Sequence, residues 1–369
     1  MNEIALATQT MFAELTQRCL DADFDERYDE RGNFKRRRKK GFLYWHYIRD
    51  VGGKKREEYV GPVRDPEINE RVKRFKATKS DFKSRREMVR ALIAAGLPAT
   101  DSMTGAVAEA LWKAGFFRLR GVLIGTSAFQ CYSGLLGARL TGATLMTQDL
   151  DVAQFYDVSH MVGDRMPPIL DVLRGVDETF RAVPDRVDRH RVTRFMTKSG
   201  YAVEFLTPNR GSDAHQGRPA EMPALGGASA TPLRYLDYLI HEPVRSVLLY
   251  KGGIPVAVPA PARFAVHKLI VGALRTDDFV KSAKDIAHAE QIIRLLLARR
   301  SYELHEAWQE AWDRGPTWRD RLQAGTAMMS EATRNDLIFN LETHGWSAKA
   351  LKPKATKAGT TKRKTTTTA

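Results

Sequence analysis

The chain is 369 residues long and 43% hydrophobic, enough for a sizeable buried core, and at this length two or three structural units are expected. It carries 59 Lys and Arg against 44 Asp and Glu, a formal net charge of +15, which favours polyanionic partners, nucleic acid above all. No run of 18 or more apolar residues occurs, which argues against a membrane-spanning helix, and the two cysteines, Cys19 and Cys131, lie too far apart for metal-type spacing.

From Met1 to Gln17 apolar and polar residues alternate at helical spacing, without the basic start and apolar run of a signal peptide. A reduced, cytoplasmic protein is therefore expected, with its first helix ending near Asp21. The run Lys35, Arg36, Arg37, Arg38, Lys39 and Lys40 follows a polar stretch. Such a run suits nucleic acid, although a merely solvated face has the same composition. Phe42 to Pro62 predicts an antiparallel hairpin turning at Gly52-Gly53. Its Tyr44, Trp45 and Tyr47 among basic residues suit either stacking on bases or packing on a neighbouring helix.

Pro66 to Gly115 reads as helical, with a break at Gly96-Leu97-Pro98. An alternating region follows: a strand over about 117–124, a helix over 127–140, a strand over 149–155 and a helix between Pro168 and Ala182. The segments HRVTRFMT and YAVEFLTP then form a hairpin joined at Lys198-Ser199-Gly200. Alternation closed by a hairpin predicts an α+β fold, a mixed sheet with helices packed on it. Asn209 to Thr231, rich in Gly, Pro, Ala and Ser, is expected to be a loop or lid. A second hairpin lies in VRSVLLYKGGIPVAVPAP, and amphipathic helices follow near 261–275 and 279–300, with more helix to Trp346. The last 23 residues hold seven basic side chains and no acid, and are expected to be disordered. The units are thus 1–65, a helix and basic hairpin; 66–115, a helical connector; 116–210, the core; 211–346, loop, hairpin and helical domain; and 347–369, the tail.

The chemistry concentrates in Gly121 to Phe155. A strand ending at Gly125-Thr126 and turning at once into a helix brings small residues and helix-start amides to an anion. Asp149-Leu150-Asp151 follows on a strand, where residues i and i+2 point the same way at roughly 6–7 Å, so that both carboxylates can share metal ions. Leu150 and Val152 then face the core. Alone the triple is weak, since about five acid-x-acid triples are expected by chance in such a chain. Glu204 adds weight, because a carboxylate within the apolar strand YAVEFLTP is costly unless paired or metal-bound. The bland alternative is a Glu on the open side of an edge strand. The nine histidines show no zinc spacing, Ser127 and Ser133 lack a nucleophile-elbow context, and Trp308, Trp312 and Trp318 suit helix packing.

These segments resemble nucleotidyltransferases of the DNA polymerase β superfamily, which combine a Gly-Gly or Gly-Ser turn, an acid-x-acid pair and a third acid on a later strand. LIGTSAFQCYSGLLGARL, MTQDLDVAQF, YAVEFLTP and PAPARFAVHKLIVGALR with KSAKDIAHAEQII are similar to the bacterial abortive-infection and toxin nucleotidyltransferases. The resemblance spans about 104–297. It implies a polymerase β-like mixed sheet in which Gly125, Thr126 and the adjoining Ser127 line the phosphates of a nucleoside triphosphate. Asp149, Asp151 and Glu204 would hold Mg²⁺ or Mn²⁺, with Glu204 helping to deprotonate an acceptor hydroxyl. Thr126 departs from the usual Gly or Ser and narrows the turn. Lys268 and Asp285 are implied as triphosphate contact and supporting acid, with Arg139 a further phosphate contact; each also suits an exposed charged face.

The expected activity is metal-dependent transfer of a nucleoside monophosphate to an acceptor on nucleic acid, RNA or tRNA first, with toxin–antitoxin or phage defence and an antitoxin partner implied by the resemblance. Modification of a protein or of an aminoglycoside-like small molecule remains open, as does a silent nucleic-acid-binding protein.

Overall fold

The computed structural model describes residues 3–21, 32–39, 41–51, 54–142, 148–161, 164–211 and 217–346. Lys40, the Gly52-Gly53 turn and the tail 347–369 lie outside them. The chain divides into two units, Met1–Pro259 and Ala260–Ala369.

In the first unit, α1 (Leu6–Asp21) precedes a three-stranded antiparallel sheet of β1 (Asn33–Lys39), β2 (Phe42–Val51) and β3 (Lys54–Pro62), and α2 (Pro66–Ala94) follows it in the chain. The basic run is therefore a strand rather than a free charge cluster. Its register sets Phe34 opposite Tyr47 and Arg36 opposite Trp45, so one face of a charged strand still contributes to a core. Alternation along β2 splits its aromatics between two faces. Trp45 and Tyr47 are buried with Phe34 against Val72 and Phe75 of α2, and the Trp45 indole donates to Asn69 Oδ1 at 2.9 Å. Arg36 and Lys76 lie 5.0 and 5.1 Å from the Trp45 ring centre, covering it with their cations. The far half of α2 packs Val89 and Leu92 on Phe12 and Leu15 of α1 and on Val247 of β11 (Val244–Leu248), which pairs with β12 (Ile254–Val258). That packing keeps the β11–β12 hairpin with the first unit, whereas the sequence groups it with the helices that follow.

After α2, Asp101 caps α3 (Ser102–Lys113) by accepting from the Thr104 amide at 2.9 Å. The expected strand over 117–124 contracts to β4 (Val122–Leu123), because turns occupy 114–120 and Arg120 takes a φ of +63°. Then come α4 (Gly125–Leu136), β5 (Asp149–Ala153), α5 (Tyr156–Met161) and α6 (Ile169–Arg174). Helix α6 ends at Arg174, earlier than the sequence predicts, and the chain turns back as β6 (Arg181–Pro184). Strands β7 (Val192–Met196) and β8 (Ala202–Pro208) form the expected hairpin.

The stretch 209–231 is more ordered than its composition indicates. It contains β9 (Ala220–Glu221), a single 3₁₀ turn at Pro223–Leu225 and the start of β10 (Ser229–Leu233). Strand β10 runs parallel to β8 from Thr231, so a tertiary partner supplies the ladder that the local sequence does not announce. Within the seven-stranded mixed sheet, β5 lies between β4, antiparallel, and β8, parallel. The other edge of β8 is shared, by β7 along Ala202–Glu204 and by β10 along Leu206–Pro208. A short helix, α7 (Leu236–Leu239), precedes β11. This α+β arrangement matches the predicted fold class.

The second unit is helical: α8 (Pro261–Leu274), α9 (Phe279–Arg299), α10 (Ser301–Asp313), α11 (Pro316–Ala327) and α12 (Glu331–Thr343). Proline opens α8 and α11 where its missing N–H costs nothing. Trp308 is buried at 1% exposure, as expected of a packing residue. Gly325 lets α11 press on the Leu269 backbone, where a Cβ would stand 2.2 Å from the carbonyl oxygen. Among the described residues no helix is long and apolar enough to cross a membrane.

Candidate active site

Strand β5 carries Asp149 and Asp151 on one side, while Leu150 and Val152 on the other are fully buried, as the alternation requires. Its parallel ladder with β8 makes Asp151 and Glu204 direct partners, and their side chains leave the sheet on the same face. On the opposite side of β5 the Ile124 amide donates to the Asp151 carbonyl at 3.1 Å, and the chain turns into α4 at that point. Gly125 makes the turn with a φ of +67°, a left-handed conformation that favours glycine. A Cβ on Gly125 would lie 2.8 Å from Asp151 Oδ2, so the carboxylate occupies the space a side chain would take. The strand–Gly-Thr–helix unit and the acidic strand thus meet at one place.

A family model described as nucleotidyltransferase matches residues 102–313, more than half of the chain. The chain belongs to the nucleotidyltransferase family. No curated protein matches it. The crystal structure of an antigenic nucleotidyltransferase-like protein from Paracoccidioides brasiliensis is similar at 15% identity and a TM-score of 0.30, covering 64% of this chain and 98% of that one. The span of the nucleotidyltransferase match starts at α3 and ends within α10, so it holds the three acids and the Gly125 turn. Sheet β1–β3 and α2 lie outside it.

Two side chains not expected from the sequence adjoin this candidate site. Arg194, the β7 partner of Glu204, ion-pairs with it at 3.2 Å from Nε to Oε1. The signal for it was present, because a hairpin centred on Ser199 sets residue 194 opposite 204. Tyr201, at the start of β8, shares a 3.0 Å hydrogen bond with the Thr104 hydroxyl. Its phenol is pushed up by burial first, against the lowering pull of Thr104, and further by the charges of Asp101, Asp149 and Asp151. The buried phenol therefore stays neutral in the field of the acidic pair.

The donor set consists of carboxylate oxygens, which suits a hard divalent cation such as Mg²⁺. Asp149 and Asp151 fit that role as neighbours on one strand face. Glu204 shares the face, but its carboxylate is turned to Arg194, and among the described residues no three His, Cys, Asp or Glu side chains group closely enough to hold a metal ion.

Ser127 is buried one residue beyond Thr126 in α4. Arg139 follows the opposite end of α4, about 20 Å from Gly125 by helix rise. Its guanidinium lies against Gly96 and donates to the Ala95 carbonyl at 2.8 Å, closing the C-terminal end of α2. Lys268 and Asp285 belong to the second unit, where Asp285 is buried and accepts from Lys268 Nζ at 2.5 Å. Arg275 Nε stands 3.3 Å from the other carboxylate oxygen, an ion pair without hydrogen-bond alignment. The basic residues Lys35 to Lys39 are on β1.

Proposed function

We propose that this nucleotidyltransferase moves a nucleoside monophosphate from a nucleoside triphosphate to a hydroxyl of a nucleic acid, RNA such as tRNA, with release of pyrophosphate. The observation that carries the reading is the Asp151 carboxylate seated against the Gly125 turn, which joins an acidic pair to an anion-binding helix start. In this mechanism the Gly125-Thr126 turn orients the triphosphate, and Ser127 supports the first helical turn from within. Asp149 and Asp151 would hold Mg²⁺ or Mn²⁺, which when bound neutralises the triphosphate charge. Glu204 takes the proton from the acceptor hydroxyl, whose oxygen bonds to the α-phosphorus as the bond to the pyrophosphate oxygen breaks. Arg194 steadies Glu204 from the neighbouring strand.

Charge segregation supports a nucleic-acid acceptor. Residues 33–94 hold 20 Lys and Arg against 8 Asp and Glu, a net +12 of the chain's +15. A place in toxin–antitoxin or phage defence, with an antitoxin as partner and a cytoplasmic location, is part of the same proposal and draws on the sequence resemblance. The test is incubation of the protein with each labelled triphosphate, Mg²⁺ and total RNA. Label should enter RNA, and Asp149→Ala and Asp151→Ala should each abolish it; undiminished labelling by both variants refutes the proposal.

A further inference from the structure

Sheet β1–β3 has one face on α2 and a second face on which the structure places a row of rings. Phe42, Tyr44 and His46 alternate with the buried Trp45 and Tyr47, so all three point away from α2. Tyr59 of β3 is the register partner of His46 and joins the same face. The Tyr44 and Tyr59 ring centres are 5.7 Å apart, those of His46 and Tyr59 5.6 Å. Phe42 and Tyr59 keep 56% and 57% of their surface exposed, which is unusual for large rings on a small sheet.

We propose that this face is a stacking platform for the unpaired bases of a single-stranded nucleic acid. The inference rests on the reading of the acceptor as nucleic acid and assigns its docking surface outside the family-matched span. Spacing supports it. Rings at i, i+2 and i+4 along a strand recur about every 6.8 Å, twice the roughly 3.4 Å step of a nucleotide strand, so every second base of a strand laid along β2 can meet a ring.

Charge supports it as well. Lys35 and Arg37 stand opposite His46 and Tyr44 on β1, and the Arg64 guanidinium lies 5.6 Å from the Phe42 ring centre. Cations beside rings are the combination that holds a backbone while bases stack. Glu57, an acid on this face, is already paired with Arg37 at 2.9 Å and with His46 at 3.1 Å. A duplex meets the same cations but cannot offer its bases to the rings, so single strands are the favoured occupant.

The test uses the full chain without triphosphate, titrated into a fluorescently labelled unstructured 20-nucleotide RNA, the same sequence as DNA, and a 20-base-pair duplex. Tyr44→Ala and Tyr59→Ala should each weaken single-strand binding about 5- to 100-fold, with duplex affinity and salt slope unchanged, because a ring carries no charge. Tyr59→Phe should retain binding, which separates lost stacking from a damaged fold. Lys35→Ala should weaken single strand and duplex alike and lower the salt slope by about one. The inference is overturned if the wild-type chain binds no single strand. It is equally overturned if the ring variants lose duplex and single strand together, or if they change only self-association. Asp149→Ala should bind as wild type does. A chain that binds through the rings yet transfers no nucleotide would sink the proposed activity and leave the platform standing.

Discussion

Gly125→Ala is the substitution whose cost can be worked out most directly from the coordinates. A φ of +67° costs an alanine about 1–2 kcal/mol relative to glycine. The new Cβ would meet Asp151 Oδ2 at 2.8 Å, whereas the next atoms, Asp151 Cβ and Cγ, are at an ordinary 3.6 Å. The carboxylate must therefore swing off its rotamer, at about 0.5–1.5 kcal/mol. The total of about 1.5–3.5 kcal/mol lowers Tm by roughly 3–14 °C for a unit of this size and leaves the protein folded at 25 °C. Displacing a metal-holding or phosphate-facing carboxylate by about 1 Å costs on the order of 100-fold in rate, so activity should fall far more than stability. Two assays check this: nucleotide incorporation at 20 °C, and urea melts of the single and double variants in a cycle with Asp151→Ala. In the Asp151→Ala background Gly125→Ala should lose only its backbone term, giving a coupling of about 0.5–1.5 kcal/mol. Full activity of Gly125→Ala, or strict additivity in the cycle, would refute the claim that Asp151 fills the space beside the turn.

Two further outcomes concern the helical unit. Asp285→Ala leaves the buried ammonium of Lys268 without its carboxylate and should cost about 3 kcal/mol in urea melts, whereas Lys268→Met with Asp285→Leu should recover most of the loss; equal stability of the two variants would contradict a buried ion pair. Burial, and then the charges of Lys268 and Lys284, push the pKa of His288 down from 6.5 to about 3. The folded state keeps this imidazole neutral while the unfolded chain protonates it. Its contribution is therefore fully present above pH 6.5 and is lost by up to about 1.4 kcal/mol per pH unit on acidification toward pH 3. Stability measured from pH 7 to 4 should fall with that sign and less steeply in His288→Gln, where His267, which burial also pushes down to about 3, keeps its own share; an acid-insensitive wild type would rule it out.

Much of the local structure was legible from pattern. The β5 alternation fixed which residues face the core, the Lys198-Ser199-Gly200 turn fixed the β7–β8 hairpin, and the helical spacing after Pro261 gave α8 and α9 to within a residue or two. Composition misled where tertiary pairing overrode it. The run 35–39 is strongly charged, yet it pairs with β2, where Phe34 packs on Tyr47 and the Arg36 guanidinium covers the Trp45 ring. The small-residue stretch before Thr231 becomes strand because Ser229 and Ala230 pair with β9, and β8 takes up the ladder from Thr231 onward. Arg139 looked like a phosphate ligand from its neighbourhood in the chain, but it sits beyond the far end of α4.

By itself the sequence determined most of the elements and their inward faces, since a period of 2 or 3.6 residues is written into those segments and apolar burial acts on it locally. It also supplied the three acids and the glycine. Only the tertiary structure decided that Asp151 lies against Gly125, that Glu204 turns to Arg194, and which aromatics of β2 are buried. Those are relations between strands far apart in the chain, set by register, and a shift of one residue would reverse every one of them.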